Sequence, residues 1–286
     1  MPTVSIILPA YNEEEVIGRV VASILAVARD DWEIIVVDDG SSDETAARAM
    51  VDGVLLIRHP YNKGNGAAVK TGLRAATGDL VCLMDADGQH DPAEIPKLLE
   101  ALDTYDLVIG ARQDGGGTGG VFRRIGNAFY NRLATYLSTQ RVLDLTSGFR
   151  AAWRDKILEF LPLFPNGFSY PTTSTLAFIK AGYNVGYVPI SASKRVGKSK
   201  IRLFQDGPKF VVIVLRMIVL FSPMRIFLPA SIVLFITGTV YGLYTVITET
   251  DVTDATVLLF TMSLVTFFIG LVSEQIALMR FERLQK

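Results

Sequence analysis

The chain has 286 residues, 28 Lys and Arg against 29 Asp and Glu, 50% hydrophobic residues and a mean hydropathy of +0.34. A net charge of −1 argues against a dedicated nucleic-acid binder, and so apolar a composition excludes a disordered chain. The single cysteine, Cys82, excludes an intramolecular disulfide and a cysteine-built zinc site, and His59 and His90 alone leave little for histidine-rich metal chemistry.

Residues 4–9 are a continuous apolar run of strand length, without the basic flank or small-residue site of a signal peptide. Val16, Ile17, Val20, Val21, Ile24 and Leu25 follow helical spacing. A second strand is expected over 33–38, then a helix capped by Ser41 or Ser42 with Asp43 and Glu44 in its first turn. Strands at 53–58 and 80–84 bracket a helix at 66–76. Asp91, Pro92 and Glu94 read as an N-cap, a first-turn proline and a capping-box acid. A further strand is expected at 106–110. Buried strands alternating with amphipathic helices predict an α/β, Rossmann-like domain with a mainly parallel sheet, whose ligands bind beyond the strand C-termini. Residues 114–120, five of them glycine, read as an active-site loop or a plain linker.

Charge is uneven along the chain. Residues 1–193 hold 17 basic and 23 acidic groups, residues 194–225 eight basic groups and one acid, and residues 226–286 three basic and five acidic groups. An acidic body, a basic collar and an apolar tail point to an enzyme held on an anionic membrane face. Residues 209–223 read as an interfacial helix along that face, or as a core helix. Residues 226–248 are an uncharged run of 23, long enough to cross a ~30 Å hydrocarbon layer, and 255–273 is a second. Arg216 and Arg225 precede the first run, Arg280, Arg283 and Lys286 follow the second, and Glu249, Asp251 and Asp254 lie between. The positive-inside rule then places the folded domain and both termini in the cytoplasm. The expected organisation is a catalytic domain over 1–200, juxtamembrane helices over 201–224 and a two-helix anchor with a short tail over 225–286, a surface that also allows self-association.

The chemistry-bearing residues sit at strand ends. Asp85 and Asp87, just past the fourth strand, can share a divalent cation, and Gln89 can add a carbonyl oxygen; oxygen ligands suit Mg²⁺ or Mn²⁺. Asp38 and Asp39 end the second strand, where one acid can face a nucleotide base, and Tyr11 follows the first strand, where it can bracket that base. Lys63 and Gly64 precede a helix whose N-terminus suits nucleotide or diphosphate contact. Arg123, Arg124, Arg150, Arg195, Lys198 and Lys200 are candidates for a basic clamp on an acceptor phosphate; Arg123 and Arg124 also fit a solvated helix face.

Pro9-Ala-Tyr-Asn-Glu, Val37-Asp-Asp-Gly-Ser, Met84-Asp-Ala-Asp-Gly-Gln-His and Thr146-Ser-Gly-Phe-Arg together resemble an inverting family-2 glycosyltransferase of the GT-A fold. More narrowly, the chain resembles the group of dolichyl-phosphate mannose synthases and polyprenyl-phosphate glucosyltransferases, over about residues 3–225. The resemblance implies transfer of one hexose from a UDP- or GDP-linked sugar to a dolichyl or undecaprenyl phosphate. It implies that Pro9, Tyr11, Glu13, Asp39 and Ala86 meet the nucleotide and that Asp85, Asp87 and Gln89 hold the metal. It places Arg112 and Arg195 near the diphosphate and acceptor phosphate, and Asp144 near the acceptor in a positioning or base role. A processive polysaccharide synthase would carry a Gln-x-x-Arg-Trp signature and more spans, and a sugar nucleotidyltransferase a Gly-x-Gly-x-Arg loop after the first strand; this chain has neither. A non-catalytic nucleotide-sugar-binding scaffold is separated only by turnover.

Overall fold

The computed structural model describes residues 2–112, 121–138, 140–167, 169–191 and 219–284. The chain divides into two compact units, Met1–Arg202 and Leu203–Lys286. In the first, the strands β1 (Val4–Ala10), β2 (Trp32–Asp38), β3 (Val54–Arg58), β4 (Leu80–Leu83), β5 (Leu107–Arg112), β6 (Arg150–Trp153) and β7 (Val185–Ile190) form one sheet in the order β3-β2-β1-β4-β6-β5-β7. Every pairing is parallel except those of β6, which runs against β4 and β5. The expectation of a mainly parallel sheet holds. Its strands are apolar in runs because helices cover both faces: Ile6, Leu8 and Ile34 pack with Val21 and Ile24 of α1 (Ile17–Val27) in one buried core.

Register sets the working edge. Ala10 pairs with Asp38, and Ile7 pairs with Leu83, so the chain leaves β1, β2 and β4 along one edge of the sheet. Because β6 is antiparallel, its first residue lies at that edge, with Arg150 opposite both Leu83 and Ile109. The segment before β6 therefore arrives where β4 and β5 end. β5 extends two residues beyond the expected strand, which puts Arg112 at its tip.

Two capping assignments differ from expectation. The short helix α2 (Thr45–Ala49) begins after Glu44 with no side-chain cap; Asp43 Oδ1 accepts the Thr45 N–H at 3.1 Å, and Ser41 Oγ instead accepts the Asn12 N–H at 2.9 Å. Asp91 does cap the 3₁₀ turn Pro92–Glu94 ahead of α4 (Ile95–Ala101), but Glu94 is buried and accepts the Ser191 N–H instead of closing a capping box. The other α-helices described in this unit are α3 (Asn65–Ala75), α5 (Val121–Ser138), α6 (Arg154–Glu159) and α7 (Tyr170–Lys180).

In the second unit, α8 (Met224–Glu249) and α9 (Asp254–Leu284) form a hairpin. Small residues make the seam: Ser231, Gly238, Gly242 and Thr245 on α8, with Thr256, Ser263, Gly270 and Ala277 at seven-residue spacing on α9. A Cβ at Gly242 would lie 2.7 Å from Thr256 Cγ2, and one at Gly270 2.5 Å from Phe227 Cβ, so the glycines permit the close approach. Ser263 Oγ donates to the Ser231 carbonyl at 2.8 Å, and Glu274 accepts the Met224 N–H at the start of α8. Only 17% of the most apolar stretch of each helix is buried within the chain. A core helix of a soluble protein would be covered; these two fit a membrane protein with two spans.

Candidate active site

The loops after β1 and β2 are bonded into one unit. Asp39 donates its N–H to the Ala10 carbonyl at 2.8 Å, Ser42 donates its N–H to Asn12 Oδ1 at 2.9 Å, and Glu13 donates its N–H to Thr45 Oγ1 at 2.8 Å. Asn12 takes a left-handed φ of 51°, which asparagine tolerates better than most residues. Tyr11 and Glu13 are half-buried on this loop, whereas Pro9 lies buried inside β1.

Asp39 is the hub of the next layer. Its buried carboxylate accepts the Lys63 N–H at 2.9 Å and the Gly64 N–H at 2.7 Å, and His59 Nδ1 lies 2.7 Å from the same group. His59 Nε2 lies 2.9 Å from Thr71 Oγ1 on α3. Lys63 and Gly64 thus spend their backbone donors on Asp39. The helix N-terminus expected to receive a diphosphate is also occupied: Gly66 donates to the Gly167 carbonyl at 3.1 Å and Ala67 to the Asn166 carbonyl at 3.0 Å. A Cβ at Gly66 would sit 2.0 Å from the Pro165 carbonyl oxygen. That helix start is a packing joint, because chain from a hundred residues away caps it.

Beyond β4, Asp85 and Asp87 flank Ala86, which is buried and can offer a ligand only its backbone. Asp87 accepts the Gln89 N–H at 3.1 Å across Gly88, whose φ of 71° makes the turn. The Asp85 carboxylate lies against Gly148: a Cβ there would come within 2.2 Å of Oδ2. Asp85, Asp87 and Gln89 offer hard oxygen donors of the kind Mg²⁺ and Mn²⁺ take. Among the described residues no three His, Cys, Asp or Glu are placed to hold a metal ion together, so an ion here would complete its shell with phosphate oxygens and water, as Mg²⁺ ordinarily does. His90 stacks on Phe149 at 5.1 Å, with Nδ1 buried and unbonded. Burial pushes its imidazole down to about 4; Arg112 adds to this against the pull of Asp87 and Asp144, so the ring is neutral near pH 7.

At the tip of β5, Arg112 grips Asp144 in a fork, Nε to Oδ2 at 2.8 Å and Nη2 to Oδ1 at 2.9 Å, and Nη2 also reaches Thr146 Oγ1 at 2.7 Å. Burial alone would raise the Asp144 carboxyl, but the Arg112 guanidinium and the Arg112 and Thr146 N–H groups outweigh it and hold the group below the usual carboxylate range. Burial likewise opposes the charge on Arg112, and Asp144, Asp85 and Asp87 together more than offset it. Asp85, Asp87, Arg112 and Asp144 thus share one electrostatic neighbourhood. Thr146 and Gly148 carry no role in the sequence reading, although they stand in the quoted Thr146-Ser-Gly-Phe-Arg run.

Arg150 is a correction. An arginine in such a motif suggests a phosphate ligand, yet this one is 0% exposed. Its guanidinium donates to the Ser147 and Pro171 carbonyls and to the hydroxyls of Ser174 (2.6 Å) and Thr175 (3.2 Å), tying β6 to α7. Arg195, Lys198 and Lys200, the glycine-rich 114–120 segment and most of the expected interfacial helix lie outside the described residues, as do the side chains of Arg123 and Arg124 on α5.

A mixed sheet with one antiparallel strand, an Asp-Ala-Asp turn at the end of a central strand and an arginine–aspartate fork facing it define a GT-A glycosyltransferase domain. The chain belongs to glycosyl transferase family 2, which it matches over residues 5–161, and residues 222–279 match a GtrB C-terminal hairpin. It is 32% identical over 205 residues to a dolichyl-phosphate hexose transferase of Haloferax volcanii, covering 71% of this chain and 88% of that protein. It is 35% identical over 218 residues to a dolichol-phosphate mannosyltransferase of Pyrococcus furiosus, covering 70% of this chain and 59% of that one. An uncharacterized protein of Methanocaldococcus jannaschii is 34% identical over 154 residues, 51% of this chain and 63% of its own length. The crystal structure of glucosyl-3-phosphoglycerate synthase from Mycobacterium tuberculosis, with Mn²⁺, UDP and glucosyl-3-phosphoglycerate, superposes with a TM-score of 0.60 at 26% identity, covering 75% of this chain and 79% of that one.

Proposed function

We propose that this glycosyltransferase moves one hexose from a UDP- or GDP-linked sugar onto the phosphate of a dolichyl or undecaprenyl phosphate, with inversion, at the cytoplasmic face of a membrane. The observation that carries the reading is the Asp85-Ala86-Asp87 turn set beside the Arg112–Asp144 fork, at the edge where β1, β2 and β4 end. The names of the Haloferax and Pyrococcus relatives support the acceptor class.

The nucleoside end is built from Tyr11, Glu13 and the backbones of Pro9 and Ala86, with Asp39 shaping the loop that carries Lys63 and Gly64. Asp85, Asp87 and Gln89 would hold Mg²⁺ or Mn²⁺, which neutralises the leaving diphosphate. Arg112 has Nε and Nη2 committed to Asp144 and Thr146, leaving Nη1 to meet a phosphate oxygen. Asp144 orients that guanidinium. An oxygen of the acceptor phosphate attacks the anomeric carbon from the face opposite the nucleotide; the new C–O bond forms as the bond to the diphosphate breaks and takes its electron pair. The acceptor is already an anion near pH 7, its second pKa being about 6, so it needs little help from a general base. Arg123, Arg124, Arg195, Lys198 and Lys200 complete the basic clamp.

Purified full-length protein, supplied with UDP- and GDP-linked hexoses and a short polyprenyl phosphate, should release nucleoside diphosphate only when donor, acceptor and metal are all present. Release without acceptor, or binding without release, would remove the transfer reading.

The reading divides the chain into a catalytic domain over 1–200, juxtamembrane helices over 201–224 and an anchor over 225–286. Its orientation follows from the basic flanks and from Glu249, Asp251 and Asp254 around the turn. A cysteine replacing the exposed Val252 in that turn should react with a membrane-impermeant thiol reagent from outside intact cells. Cys82 stays silent, since it is buried and burial pushes its thiol far up. Labelling only after lysis would reverse the topology.

A further inference from the structure

Arg150 is buried too deeply to meet a phosphate, and its surroundings give it another task. Among the described residues none of its hydrogen-bond acceptors is a carboxylate. Arginine keeps its charge in proteins, so a cation rests here on neutral oxygens alone. Burial pushes its pKa down; Tyr170, Asp144, Tyr187 and Asp85 oppose that, and of these only Asp144 and Asp85 are anions near pH 7. Both belong to the candidate active site.

The guanidinium divides its donors. Nη1 serves α7, donating to the Pro171 carbonyl at 2.8 Å and to the hydroxyls of Ser174 and Thr175 at 2.6 and 3.2 Å. Nε, at 3.1 Å, and Nη2 both donate to the Ser147 carbonyl. The next carbonyl, that of Gly148, accepts from the Tyr170 hydroxyl at 3.4 Å, and the guanidinium lies 5.9 Å from the centre of the Tyr170 ring. Gly148 is thus held at both of its peptide groups. Register carries this to the metal side. Leu83 pairs with Arg150 across the antiparallel ladder, so two residues further on Asp85 comes opposite Gly148. A Cβ built on Gly148 would lie 2.2 Å from Asp85 Oδ2 and 3.0 Å from Oδ1, so both carboxylate oxygens stand where a side chain would be.

We propose that Arg150, aided by Tyr170, is a positioning residue for the divalent cation: by fixing both peptide groups of Gly148 it sets the orientation of the Asp85 carboxylate that lies against that glycine. Arg150 itself touches neither metal nor substrate. The inference rests on the reading that Asp85, Asp87 and Gln89 hold Mg²⁺ or Mn²⁺. Arginine suits the task because its planar fork puts two donors on one carbonyl while the third nitrogen reaches α7; an ammonium is a point charge without that geometry. The lack of a paired acid matters too, since a carboxylate on Arg150 would cancel a charge that otherwise acts on Asp85 and Asp144.

The test uses full-length protein in detergent, with Mn²⁺ titrated alone and with UDP or GDP present. Electron paramagnetic resonance reads the bound ion, and thermal unfolding reports folding. Arg150→Lys should bind Mn²⁺ roughly ten-fold more weakly than wild type, with an altered spectrum of the bound ion. Tyr170→Phe, which removes only a hydroxyl, should shift affinity the same way by a smaller factor, and it alone decides the matter where Arg150→Lys does not fold. Ser174→Ala is the control: it removes the 2.6 Å acceptor on α7 and leaves the grip on Ser147, so thermal stability should fall and Mn²⁺ affinity stay at the wild-type value. Asp85→Asn separates the inference from the reading beneath it. No Mn²⁺ binding by wild type, or undiminished binding by Asp85→Asn, would remove the metal assignment and the inference with it. Binding lost in Asp85→Asn but at wild-type strength in the folded Arg150 and Tyr170 variants would overturn the inference alone. So would an equal loss in Ser174→Ala, which would make Arg150 a tie in the fold and nothing more.

Discussion

Replacing Asp87 by alanine should lower metal-supported sugar transfer by about two orders of magnitude or more while the protein stays folded. The expectation follows from position. Asp87 lies past the end of β4, two residues from Asp85, at the edge where the chain also leaves β1 and β2. Its carboxylate accepts the Gln89 N–H at 3.1 Å, a bond worth about 1 kcal/mol. A diphosphate leaving group whose charge is held by a cation on Asp87 would lose that neutralisation. Measured by steady-state transfer and by Mn²⁺ titration, both rate and metal affinity should collapse together. Full activity of the variant in chelator would contradict the metal assignment.

Gly148→Ala should be nearly as damaging, through a different cause. The new Cβ would lie 2.2 Å from Asp85 Oδ2 and 2.7 Å from its Cγ, closer than real Cβ atoms come. Asp85 cannot stay where it is, and the segment carrying Asp144 and Thr146 has little slack, since Arg112 binds both. We expect a loss of about 10²-fold in transfer with weakened Mn²⁺ binding. Gly167→Ala provides the control: nothing lies within 4 Å of its Cβ position, and activity should be retained. Wild-type Mn²⁺ affinity in Gly148→Ala would show that Asp85 is not a ligand.

These variants also mark what could be read from the sequence. β1, β2 and β4 were legible because a strand buried on both faces must be apolar throughout, and the hairpin because spans of that length carry no charge. β6 and β7 were not. The first is four residues opening with an arginine, and the second holds Gly186 and Pro189. Gly186 is needed because a Cβ would meet the Tyr105 ring at 2.4 Å, and Pro189 is tolerated because β7 is an edge strand. The acidic turn after β4 declared itself by local spacing. Arg150 misled because three of its four partners, Pro171, Ser174 and Thr175, lie more than twenty residues away on α7. The Asp39–His59–Thr71 connection and the capping of α3 by residues 166–167 are long-range in the same way, set by tertiary packing that residue type and local spacing do not display.

The most direct measurement is mass spectrometry of the lipid recovered after incubating full-length protein with a nucleotide-sugar, divalent metal and a defined polyprenyl phosphate. A single new species is expected, heavier by one hexose, formed one-for-one with nucleoside diphosphate and absent from the Asp87→Ala reaction. A ladder of added hexoses, or an unmodified lipid beside a hydrolysed donor, would contradict it.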